Sequence, residues 1–168
     1  NNGPDRNLVN RINNGGEYTT NTSHTLTHPE WDPILKKAGE LQLFNKEGDK
    51  VKLLFVPTYL NGHDGIFNLT YYQLLCGLDL TVFPSYYEPW GYTPLESLAF
   101  GVPTITTTLA GFALWVKEHR KRREEAVEII ERGDSNYSKV VEEVVKKVVH
   151  ISALTTEKRR YLRESAKE

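Results

Sequence analysis

The chain has 168 residues, with 21 Lys and Arg set against 22 Asp and Glu, a net charge of −1 and 39% apolar residues. That size and balance suit one globular domain or part of a larger protein. The even charge offers no field for wrapping nucleic acid, and no apolar run is long enough to span a bilayer.

The opening NNGPDRN has neither the basic start and apolar core of a secretory signal nor an initiating Met, and it reads as the cut end of a longer chain. Over 1–30 Asn, Gly, Thr and Ser dominate, so loop or poor order is expected there, with the ordered domain over 31–168. His24 and His28 have the spacing of a helical metal pair, but Pro29 and the neighbouring threonines oppose a helix and no third ligand is evident, so no metal is expected. DPILKKAGELQLFN spaces Ile34, Leu35, Ala38 and Leu41 along one helix face, with Pro33 in the first turn behind Asp32. VKLLFVP, DLTVFP and VPTITTT are short apolar runs rich in strand formers, the first two closed by Pro57 and Pro84.

Between the first two runs come the loop NGHDG, where His63 and Asp64 read as solvent-facing turn residues, and a helix, NLTYYQLLCG, closed by Gly77. Cys76, the single cysteine, reads as a small buried apolar residue and requires no oxidising compartment. Alternating strands and helices predict an α/β fold with a parallel sheet. Further on, HRKRR from His119 is followed at once by EE and reads as a solvated helix end rather than a phosphate-binding patch. EEAVEIIERGD fits a strand after a charged turn or the end of a helix, which periodicity over so short a run does not separate, and a strand is the expectation. NYSKVVEEVVKKVVHIS sets Val140, Val141, Val144, Val145, Val148 and Val149 in pairs every four residues, a helix stripe that packing must hold because valine propensity is modest. TTEKRRYLRESAKE starts a last helix and stops without a capping signal.

The stretch SYYEPWGYTPLESLAFG, from Ser85 to Gly101, carries the chemistry. TPLE reads locally as a helix start, with Thr93 as N-cap, Pro94 at the first helical position and Glu96 closing a capping box. That leaves Glu88, Trp90, Gly91 and Tyr92 between the end of a buried strand and a helix, where open parallel sheets bind ligands. Unpaired N–H groups at the helix start suit a pyrophosphate, and Gly91 lets the backbone approach it. Glu88 and Glu96 then stand ready for hydroxyl groups on either side, of a sugar and a ribose. Glu88, beside Pro89, has no capping reason to be there, whereas Tyr86 and Tyr87 are expected to pack at the strand end.

The string VFPSYYEPWGYTPLESLAFGVPTITTTLAGF resembles the donor-site segment of glycogen synthases of the animal and fungal type, retaining glycosyltransferases of the two-domain GT-B architecture with a cleft between two Rossmann-like domains. The resemblance extends from DPILKKAGELQLFN through AGFALWV and more weakly to EIIERGD. It implies the C-terminal, donor-binding half of such an enzyme: an α/β Rossmann-like parallel sheet flanked by helices. By the same resemblance Glu88 lies against the transferred glucose and takes part in catalysis, and Glu96 holds the ribose. Trp90, Gly91, Tyr92 and Thr93 line the phosphate and sugar pocket, and Tyr71 stacks on the uracil.

The implied reaction moves glucose from UDP-glucose to the non-reducing end of an α-1,4-glucan with retention, without cofactor or obligatory metal, in the cytoplasm. Donor and glucan are the implied partners. Nucleic acid and membrane are not, and the full-length protein is compatible with a homo-oligomer. The family's Arg and Lys that clamp the pyrophosphate have no match before DPILKK, and its acceptor-side domain is absent, so this stretch alone is expected to be inactive. Its arginine-dense regulatory helix has no counterpart in VVHISALTTEKRR, where arginines come only at the end. Two other classes share much of the signal: a transferase with an ADP-glucose donor or another acceptor, and a non-catalytic nucleotide-binding module.

Overall fold

The computed structural model describes residues 22–24, 26–119 and 126–167. Most of the polar opening stretch and the basic run from Arg120 lie outside the described residues. The chain divides into two compact units, Asn1–Tyr71 and Tyr72–Glu168.

In the first unit a 3-10 turn over Pro29–Trp31 leads into helix α1, Pro33–Glu40. Its start is as read: Asp32 caps it through Oδ1, which accepts from Ile34 N at 2.9 Å and Leu35 N at 3.0 Å. The helix stops at Glu40, and just past it Gln42 turns to positive φ, 55°, with Leu43 N donating back to Ala38 O at 2.9 Å. Of the expected apolar face only Ala38 is buried, while Ile34 and Leu41 are exposed.

VKLLFVP does not form the strand expected of it. Both backbone groups of Leu53 are taken by a buried side chain: Asn45 Nδ2 donates to Leu53 O and Leu53 N donates to Asn45 Oδ1, each at 2.7 Å. At Leu53 the amide side chain thus takes the place that a neighbouring strand's backbone would hold. Among the described residues the segment pairs through an isolated parallel bridge, Thr22 with Phe55.

Asp64 is likewise not the solvent-facing turn residue the composition suggests. It is buried, and its Oδ1 accepts from the N–H groups of Ile66, Phe67 and Asn68 at 2.9, 2.8 and 3.3 Å. Burial pushes its pKa up, but these backbone donors outweigh it and hold the carboxyl below the ordinary aspartate value. A carboxylate with a depressed folded pKa contributes stability above its unfolded pKa and loses it as pH falls through the folded one. Asp64→Ala is therefore expected to destabilise this unit by about 2 kcal/mol near neutral pH. The gap from wild type should close on acidification below about pH 4, as read from denaturation midpoints against pH. A gap that persists unchanged in acid would contradict it. His63, by contrast, is exposed as expected.

The second unit holds the sheet. Helix α2, Tyr71–Leu75, begins on the last residue of the first unit and runs into strand β1, Thr81–Phe83. Helix α3, Tyr92–Ala99, leads to β2, Thr104–Thr107, and helix α4, Gly111–His119, lies between β2 and β3, Val127–Ile130. Helices α5, Tyr137–Ser152, and α6, Thr156–Ser165, complete it. The strands are parallel in the order β1, β2, β3, with Thr81 opposite Thr104 and Thr104 opposite Val127. The central strand β2 is buried at all four positions, as a parallel strand between two layers must be.

Ile105, Ile130 and Val140 form one core cluster with Leu80 and Val144, and Phe112, Val116 and Val127 form another with Trp90, Leu98 and Ile129. The sheet thus carries α5 in one cluster and α3 and α4 in the other. Only part of the valine stripe packs: Val140 is buried, whereas Val141, Val145, Val148 and Val149 are exposed. Cys76 is also exposed, because α2 ends at Leu75, whose side chain takes the buried position.

Candidate functional site: the turn between the first strand and the third helix

The turn from Pro84 to Gly91 is tied at Pro84, Ser85, Glu88 and Trp90 to β2 and to the segments that follow β2 and β3. Thr107 Oγ1 donates to Ser85 O at 2.7 Å, and Arg132 Nη1 donates to Pro84 O at 2.7 Å. Glu88 N donates to Leu109 O at 3.0 Å, and Gly111 N donates back to Glu88 O at 3.1 Å, which makes Glu88 and Ala110 a parallel bridge. Phe112 N then donates to Trp90 O at 2.6 Å. The main chain of Glu88 is fixed on both sides. Its half-buried carboxylate accepts no hydrogen bond and meets no cation among the described residues.

Gly91 caps α3 in the left-handed region, at φ 99° and ψ 72°. A Cβ there would meet Glu88 Cγ at 3.3 Å and Ala110 Cβ and Pro94 Cγ at 3.5 Å, tight only toward Glu88, so the position needs glycine chiefly for its conformation. The cap corrects the expected helix start: Thr93 sits inside the first turn, no side chain caps the helix, and Glu96 closes no capping box. The N–H groups of Tyr92 and Thr93 consequently have no intrahelical acceptor, and both side chains are exposed. With no carboxylate of its own folded over it, this helix end keeps its partial positive charge for a ligand.

The other expected site residues separate. Trp90 turns its ring into the core, edge-on to Phe112 at 6.1 Å and tilted to Trp115 at 6.5 Å, which leaves its backbone to the turn. Glu96 Oε1 accepts from Tyr72 Oη at 2.8 Å. Tyr71 belongs to the first unit, where its N–H donates to Leu60 O at 3.1 Å. Tyr86 and Tyr87 do not pack at the strand end but are 62% and 80% exposed. Tyr86 instead lies under the Arg132 guanidinium, 3.4 Å from carbon to ring centroid, a cation–π contact that the spacing in sequence, 46 residues apart, conceals.

Sequence reasoning missed Tyr72, Arg132 and Gly111. Arg132 is buried, and besides Pro84 it engages Thr108, whose Oγ1 accepts from Arg132 N at 3.0 Å. Among the described residues no group of three or more His, Cys, Asp or Glu is arranged to hold a metal, and no helix is long and apolar enough to cross a membrane.

A parallel α/β sheet with an uncapped helix start and a fixed glutamate beyond its first strand is of the Rossmann-like class, in which ligands bind outside the carboxyl ends of the strands. Residues 12–168 match the glycogen synthase family, and the chain belongs to that family, whose architecture is GT-B. It is similar to glycogen [starch] synthase isoform 2 of Saccharomyces cerevisiae, 38% identical over 133 residues, 77% of this chain and 19% of the relative. The liver glycogen [starch] synthase of Mus musculus is 42% identical over 98 residues, 58% of this chain and 14% of the relative. The glycogen [starch] synthase of Caenorhabditis elegans is 36% identical over 135 residues, 80% and 20% respectively. The chain thus spans a fifth or less of the length of these relatives.

Proposed function

We propose that this chain is the donor-binding part of a glycogen synthase, and that the protein carrying it transfers glucose from UDP-glucose to the 4-hydroxyl at the non-reducing end of an α-1,4-glucan, in the cytoplasm and with retention. In this reading the diphosphate sits at the start of α3, where the N–H groups of Tyr92 and Thr93 and the helix dipole offset part of its charge. Gly91 admits it to the backbone. The bond from the anomeric carbon to the β-phosphate oxygen breaks, the acceptor oxygen attacks from the same face, and its proton passes to the leaving phosphate. Glu88 supports the positive charge that develops on the sugar ring, Glu96 accepts from the ribose, and Tyr71 stacks on the base.

The observation that carries this reading is Glu88 itself, with main chain fixed by Leu109 and Gly111 and a carboxylate left uncommitted among the described residues. Such preorganisation gives an electrostatic group its value in a transition state. The test offers UDP-glucose and ADP-glucose separately to the full-length protein with a glycogen primer and digests the product with an α-1,4-specific amylase. Label from UDP-glucose released by the amylase is the expected result. Preferential use of ADP-glucose would move the donor assignment, and incorporation from neither by folded protein would overturn the activity.

A further inference from the structure

We propose that Tyr72 is a positioning residue for Glu96, fixing one carboxylate oxygen so that the other faces a sugar hydroxyl of the donor. The inference rests on the donor-site reading above and extends it to a residue outside the glutamate-bearing turn. Glu96 and Phe100 are four residues apart and share one face of α3. Tyr72 spans both: its ring stacks on Phe100, with centroids 5.1 Å apart and planes 13° from parallel, and its hydroxyl donates to Glu96 Oε1 at 2.8 Å. The stack sets the ring, and the ring sets the hydroxyl.

The segment that follows Tyr72 is held in turn. Arg163 of α6 donates from Nη2 to Cys76 O at 2.9 Å and from Nη1 to Leu78 O at 2.7 Å, which satisfies carbonyls at the end of α2 and fixes that end to the domain. Tyr72 is 45% exposed, so its hydrogen bond competes with water and adds little to stability. Its effect falls on Glu96, a side chain with several rotatable bonds. Held by one oxygen, Glu96 gives up less freedom when the second oxygen accepts from a hydroxyl.

The test compares wild type, Tyr72→Phe, Glu96→Ala and the double variant of the full-length protein, with UDP-glucose and its 2′-deoxy and 3′-deoxy ribose analogues as donors. Tyr72→Phe is expected to raise the donor KM roughly three- to tenfold, with kcat within about twofold, and to narrow the preference for ribose over deoxyribose donors. The double variant should match Glu96→Ala, since the tyrosine acts only through the glutamate. A purely structural role would lower Tm and leave the ribose preference where it was. If Glu96→Ala raises KM and Tyr72→Phe does not, or if the two effects add, the inference falls and the donor site stands. If Glu96→Ala changes neither KM nor ribose preference, both fall together.

Discussion

Replacing Glu88 with Gln is expected to slow glucose transfer by the full-length protein roughly 10²- to 10³-fold, a barrier increase of about 3 kcal/mol, while donor KM changes little. The size follows from what the substitution removes. Gln keeps the shape of the side chain, and the hydrogen bonds that hold position 88 to Leu109 and Gly111 are made by its main chain, so the turn survives. Only the negative charge is lost, and it is needed when the sugar ring becomes positive. An effect confined to kcat marks an interaction made in the transition state. A variant as fast as wild type would remove Glu88 from the chemistry.

Gly111→Ala should destabilise the fold by about 3 kcal/mol, at the upper end of the usual cost of overpacking. A Cβ at this position would stand 2.2 Å from Pro89 O and 3.3 Å from Trp90 Cα. The obstacle is backbone, and it is the same backbone that Gly111 N and Phe112 N hold by hydrogen bonds to Glu88 O and Trp90 O. Relief requires the turn to move, and Glu88 moves with it, so transfer should fall even in the folded fraction. Gly133→Ala is the control, because an added Cβ there meets nothing within 4 Å. The comparison is of denaturation midpoints: a large loss for Gly111→Ala and less than about 0.5 kcal/mol for Gly133→Ala. Equal midpoints would contradict the close approach of the two segments.

The parallel α/β sheet was legible because short apolar runs bounded by Pro and Gly alternate with helical spacing, and the fold class follows from that rhythm; the strand order was not. Local capping reached Asp32 and failed at Thr93. A Thr-Pro-x-Glu string fits a capping box, but Gly91 could take a left-handed conformation and start the helix one residue before Thr93. Of helix α4 only the basic end at His119 was read: Phe112, Ala113 and Val116 are buried while Leu114 and Trp115 are exposed, so no polar face marks the period of its body. The strand expected in VKLLFVP was lost to Asn45, a side chain eight residues from Leu53 that binds it as a strand would. Glu88 could be picked out because it lacks a local reason and Gly91 because it sits where a strand turns into a helix, whereas Glu96, which had a local reason in the capping box, was singled out by the resemblance. Tyr72 and Arg132 could not, since each acts through a contact 24 or 48 residues away in sequence.

The claim that donor chemistry occurs at the start of α3 is tested most directly by a structure of the full-length protein with UDP-glucose bound. The account predicts the diphosphate within hydrogen-bonding distance of the Tyr92 and Thr93 N–H groups, the anomeric carbon beside the Glu88 carboxylate, and a ribose hydroxyl on Glu96 Oε2. A nucleotide sugar bound elsewhere, with the start of α3 left to solvent, would contradict it.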